Sequence, residues 1–119
     1  MLYKSMKSIL LALVLMVPTL TFAAGFLSVY EDLPLPAQLT EVTGSGLSFD
    51  SQDGRIVEVE AKGKTDKQSV LSFYASALPQ LGWSVEGPGQ YRREQEILRL
   101  DVVEAGKGQV TVRFKVSPR

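Results

Sequence analysis

Three stretches of the chain alternate strictly between apolar and polar side chains. Val57, Val59 and Ala61 interleave with Glu58, Glu60 and Lys62; Leu98, Leu100 and Val102 with Arg99 and Asp101; Val110, Val112, Phe114 and Val116 with Thr111, Arg113 and Lys115. Successive side chains of a strand point to opposite faces, so a period of two predicts strands with one buried and one wet face. Turn residues separate them. Asp53-Gly54 leads into Arg55–Lys62, Gly87-Pro88-Gly89 parts Trp83–Glu86 from Gln90–Arg93, and Ala105-Gly106-Lys107-Gly108 follows Ile97–Glu104. Facing residues must point the same way, which places Leu100 opposite Val112 or Phe114; a plain four-residue loop would then need a bulge. Leu39–Val42 and Leu47–Asp50 read as one earlier strand, interrupted by a bulge or tight bend at Gly44-Ser45-Gly46.

From Thr65 to Trp83 the period changes. Val70, Phe73, Tyr74, Ala77 and Leu81, widened by Leu71 and Leu78, recur as one face of a helix, with Lys67, Ser72, Ser76 and Gln80 opposite. Thr65 is the expected N-cap, with Gln68 completing a capping box and Asp66 suiting the helix dipole. Pro79 should kink or end the helix, Gly82 should take the left-handed exit, and Trp83 should open the next strand. The fold class this predicts is α+β: an antiparallel sheet of about five strands with one helix packed across one face, in the order β-β-α-β-β-β. The aromatics Phe73, Tyr74 and Trp83 read first as core anchors. Otherwise they would line a pocket between helix and sheet.

The start of the chain has a different character. Lys4 and Lys7 precede the apolar run Ile9–Val17, then Pro18 and the small-residue end Thr21-Phe22-Ala23-Ala24. This is the pattern of a secretory signal peptide, so residues 1–23 are expected to be removed after Ala23, although retention as an anchor is open. The protein would then be periplasmic or secreted, meeting the membrane only transiently through that signal. Residues 24–36 form a lead without period. Ala24–Glu31 is expected to be poorly ordered, and Leu33-Pro34-Leu35-Pro36 extended, its leucines touching the core. Residues 37–119 form the single domain. Taking Lys4 and Lys7 from 13 basic residues leaves 11 against 13 acidic ones, a net charge of −2. Nucleic acid, which calls for a concentrated basic surface, is not expected as a partner.

The chain has no histidine and no cysteine. That excludes Ser-His-Asp and Cys-His catalysis, the usual zinc sites, haem ligation through histidine, disulfides and lipoprotein acylation. Gly106-Lys107-Gly108 lacks the glycine spacing and following Ser/Thr of a phosphate loop. Glu58 and Glu60 share a strand face about 7 Å apart, the nearest approach to a paired-carboxylate site, but basic neighbours predict a solvated, cross-paired surface. Asp50 and Asp53 do not have the spacing of a calcium loop. Arg92 and Arg93 should point to opposite faces. Neither an enzyme nor a cofactor is expected.

The run Leu33-Pro34-Leu35-Pro36, then Val70-x-x-Phe73-Tyr74 and Leu78-Pro79-x-Leu81-Gly82-Trp83, resembles a group of small, mostly uncharacterised exported bacterial α+β proteins and lipoproteins. The resemblance spans roughly residues 33 to 116 and implies fold and compartment. It carries no catalytic residue, and the lipoprotein cysteine is absent. The function expected is that of a non-enzymatic envelope interaction module. It would present its polar sheet face (Glu58, Glu60, Arg99, Asp101, Arg113) or a sheet edge to an envelope protein. The alternative is a small-molecule or lipid carrier with a pocket near Phe73, Tyr74 and Trp83.

Overall fold

The computed structural model describes residues 25–119. The expected signal peptide therefore lies outside the described residues. The fold is α+β and antiparallel, and among the described residues it has one helix and nine strands where about five were expected. A short ribbon pairs β1 (Gly25–Phe26) with β2 (Pro34–Leu35). The main sheet holds β3 (Leu39–Glu41), β4 (Leu47–Ser51), β5 (Gly54–Lys64), β6 (Ser84–Gly87), β7 (Gln90–Arg93), β8 (Glu96–Glu104) and β9 (Gln109–Pro118). Its order is β3-β5-β9-β8-β7-β6, with β4 on the same edge of β5 as β3. The count differs because the bend at residues 42–46 makes two strands of one, the segments on either side of the turn at 88–89 count as two strands rather than one, and the lead adds a two-stranded ribbon.

Register follows side-chain parity. Leu100 faces Phe114 and Val102 faces Val112, which leaves Gly106-Lys107-Gly108 as a three-residue connection closed by Ala105 and Gln109, with no bulge required. The inward row of β5 (Val57, Val59, Ala61) meets Val116, Phe114 and Val112, and all six are buried. Gly63, next to the end of β5, sits where a Cβ would lie 1.8 Å from the Gln38 carbonyl oxygen, so the chain approaches there only without a side chain.

The helix α1 (Lys67–Gln80) lies on the inner face. Its N-cap is Asp66 rather than Thr65: the carboxylate accepts from the Ser69 amide at 2.7 Å, which holds the Asp66 carboxyl below the usual range. Gln68 bonds the Ser72 hydroxyl instead of closing a capping box. Pro79 is accommodated one residue before the end, where it costs the one bond that an amide N–H there would have made to the preceding turn. Gly82, at φ +91°, donates to the Pro79 carbonyl and Trp83 to that of Leu78. This paired exit matches the Schellman motif, and Leu78 and Trp83 are both buried beside it. Only Val70, Tyr74 and Leu78 are fully buried on the helix; Phe73 and Ala77 are half-buried, and Leu81 is exposed.

That narrow stripe reflects a mismatch of size. A 14-residue helix is about 21 Å long and about 10 Å wide, whereas strands spaced about 4.8 Å apart make a sheet six positions wide, β3 and β4 sharing one edge, about 24 Å across. The lead fills the difference. Contrary to the expectation of poor order, Leu27 and Tyr30 are buried with Leu33 and Leu35, and all four belong to the core cluster. The Tyr74 hydroxyl donates to the Pro34 carbonyl at 2.7 Å, tying helix to lead across 40 residues.

Candidate functional site: the open face of the sheet

Neither helix nor lead reaches the outer face. There the cross-strand register assembles rows of side chains from β5, β9 and β8. Glu60, Arg113 and Asp101 form one row; Glu58, Lys115 and Arg99 form the next; Lys62, Thr111 and Val103 a third. The five residues expected on an interaction face, Glu58, Glu60, Arg99, Asp101 and Arg113, are therefore neighbours on one surface. Arg113 Nε donates to Glu60 Oε2 at 3.0 Å. Arg92 joins the face from β7 and pairs with Glu86 at 3.0 Å, while Arg93 turns to the opposite side. Opposite charges alternate along the first row, so each attracts its neighbour and the array holds its shape in water.

One apolar corner interrupts this polar surface. Between the pair Glu41–Ala61 and the pair Leu47–Glu58 the edge strand advances by six residues and β5 by only three. An odd difference reverses side-chain parity. Leu39 consequently points into the core, whereas Leu47 and Phe49 point outward, 49% and 46% exposed, next to half-buried Ile56. The inserted loop is fastened by Ser45: its hydroxyl donates to the Val42 carbonyl and accepts from the Glu60 amide. Sequence reasoning located this bend but not the number of residues it absorbs. The outward apolar pair was missed for that reason.

Phe73, Tyr74 and Trp83 are not gathered into one pocket. Phe73 meets Tyr74 edge-on at 4.9 Å, and Tyr74 packs on Phe114 at 5.7 Å with no exposed surface. Burial drives the Tyr74 phenol far above its ordinary pKa. Trp83 lies elsewhere, 6.4 Å from Tyr30 and roofed by the Arg93 guanidinium at 4.5 Å. Arg93 also donates to the Leu81 carbonyl, the Tyr30 hydroxyl and Asp32. Burial opposes the Arg93 charge, but Tyr30 and Asp32 more than offset it. Tyr30 in turn donates to Glu96, under the Arg55 guanidinium at 4.7 Å; its pKa is raised by burial first and by Glu96 second. These contacts clamp the lead to the sheet.

A groove of about 710 Å³ does exist, but on the outer flank of α1. Phe26, Pro34, Pro36, Phe73, Ala77 and Leu81 form its apolar floor, Ser and Gln side chains its rim, and no charged residue lines it. Of the three aromatics only Phe73 touches it. Asp50 and Asp53 are exposed at the hairpin, and among the described residues no three acidic side chains gather as a metal site. No helix among the described residues is long and apolar enough to cross a membrane. No protein family, curated protein or solved structure matches the chain.

Proposed function

We propose that the protein is an exported, non-enzymatic interaction module that binds an envelope protein through the open face of its sheet. One observation carries the reading: a broad sheet whose inner face is sealed by helix and lead, and whose outer face sets ordered rows of charged side chains, one of them alternating in sign, beside an apolar corner. A surface of that composition has what a protein contact uses, an apolar patch to desolvate and neighbouring charges to orient the partner. The signal-like residues 1–23 support export and so direct the search to the envelope.

The test is capture from an envelope fraction with tagged protein, read by mass spectrometry. A specific protein is expected, retained by the native chain and lost from Glu60→Lys and Arg113→Glu variants that keep the native melting temperature. Retention of the same proteins by these variants would overturn the reading. The uncharged groove favours a second reading, carriage of a neutral apolar molecule. Native mass spectrometry of the purified protein would show it as bound mass, lost on Phe73→Ser without unfolding.

A further inference from the structure

The two ends of the sheet are finished differently. β6 is short, carries a bulge between Val85 and Gly87, is followed by Pro88 and holds Glu86 in an ion pair. Such features discourage pairing with another strand. The short β3 is overlaid by the lead, where the Ser28 amide and hydroxyl both bond the Glu41 carboxylate. β4 has none of these protections. Its five residues, Leu47-Ser48-Phe49-Asp50-Ser51, are all exposed, contain no proline, lysine or bulge, and among the described residues pair with β5 alone.

The direction of its backbone groups can be worked out. Glu60 turns its amide and carbonyl toward the β3–β4 side, bonding Ser45 Oγ and the Val42 amide. By alternation Glu58, Ile56 and Gly54 do the same, so their partners Leu47, Phe49 and Ser51 are used up in the hairpin. The amides and carbonyls of Ser48 and Asp50 point away from the sheet.

From this we infer that β4 pairs with β4 of a second copy, antiparallel, about a two-fold axis through Phe49. In that register Ser48 and Asp50 of each copy exchange backbone hydrogen bonds, and Phe49 faces Phe49 in the closer, non-hydrogen-bonded type of pair. Leu47 lies diagonal to the partner's aromatic ring, extending the apolar corner across the seam. Asp50, the only charge on the strand, falls opposite a serine hydroxyl rather than another carboxylate. The segment is thus complementary to itself in hydrogen bonds, apolar surface and charge, as an isologous contact requires. Antiparallel pairing keeps the two open faces on the same side. The dimer would therefore present two copies of the proposed binding surface side by side, a gain in avidity that rests on the open-face reading, whereas the dimer itself does not.

Because the chain has no cysteine, a single introduced thiol reports the geometry. Phe49→Cys would place two thiols on the axis within the Cα range of a disulfide. Under mild oxidation the full-chain protein is expected to cross-link almost completely as Phe49→Cys and barely as Val103→Cys, an exposed outer-face control on β8. Adding Ser48→Pro, which removes an outward amide without touching the hairpin ladder, should abolish most of the cross-linking. The cysteine-free protein should sediment as a concentration-dependent dimer, and Ser48→Pro as a monomer with unchanged circular dichroism. Equal cross-linking at residues 49 and 103, or a monomer at every concentration up to the millimolar range, would overturn the proposal. So would a β4 that cross-links only to a different protein from the envelope fraction.

Discussion

The two faces of the sheet are built from the same strands and the same alternation, yet they are held in different ways. The inner face is covered twice, by α1 and by the lead, and its rows from Val57 to Val116 and from Leu98 to Val102 are buried. The outer face keeps its order through side-chain pairs such as Glu60–Arg113, on solvated groups. Burial of apolar area supplies the stability of the first; cross-strand electrostatics supply only the arrangement of the second. Change on the outer face is therefore cheap, which is what a surface open to selection for a partner needs.

Substitutions should separate the faces sharply. Tyr74→Ala, which removes a ring with no exposed surface, is expected to cost about 3–5 kcal/mol in denaturant unfolding. Leu33→Ala should cost about 2–5 kcal/mol, a core-sized loss from a residue in the lead. A loss near zero would mean that the lead only decorates the domain. Tyr74→Phe keeps the packing but strands the Pro34 carbonyl, for an expected loss of about 1–2 kcal/mol. The phenol also carries a pH signature. Its folded pKa is raised, so its contribution is complete below about pH 10 and is lost as pH rises beyond that. Alkaline unfolding followed by fluorescence should begin later in Tyr74→Phe, relative to its own stability at neutral pH, than in the native protein.

On the outer face, Glu60→Ala should change stability by less than about 1 kcal/mol, an effect that shrinks further in salt. The helix cap provides an effect whose size depends on pH. The Asp66 pKa is lowered, so the cap contributes above the ordinary carboxylate range and is lost as pH falls through the depressed value. Asp66→Ala should lower the melting temperature at neutral pH and leave it nearly unchanged in strong acid.

Much of this was legible in the chain because alternation reports the face a residue takes. Val57, Leu98, Val112 and their neighbours needed no tertiary information, and Gly82 announced the helix exit. What could not be read depends on lengths that only pairing determines. Glu41 and Leu47 look like parts of one strand, but three extra residues between them turn Leu47 and Phe49 outward. Thr65 and Asp66 are both good caps, and one residue of offset decided between them. The lead has no period because it turns back on itself between Gly25 and Leu35, contacting the core through Leu27, Tyr30, Leu33 and Leu35 at irregular intervals. Tyr74 sits at mid-helix against Phe114, whereas Trp83 follows the helix exit and lies beside Tyr30, so the two share no pocket.

The position of β9 has a consequence in time rather than space. It is the last strand in the chain and the middle one in the sheet, bonded along its length to β5 on one side and β8 on the other. A chain delivered from its N-terminus holds β5 and β8 ready but unjoined until Val116 has emerged. Two unfinished sheet halves with bare edges would coexist for that interval, the state in which strands mispair. Folding should therefore be slow for a domain of this size and finish in one late step, since its decisive contacts are distant in sequence. Under the export proposed above, that delay would be an advantage: the sheet could not close before the chain had passed.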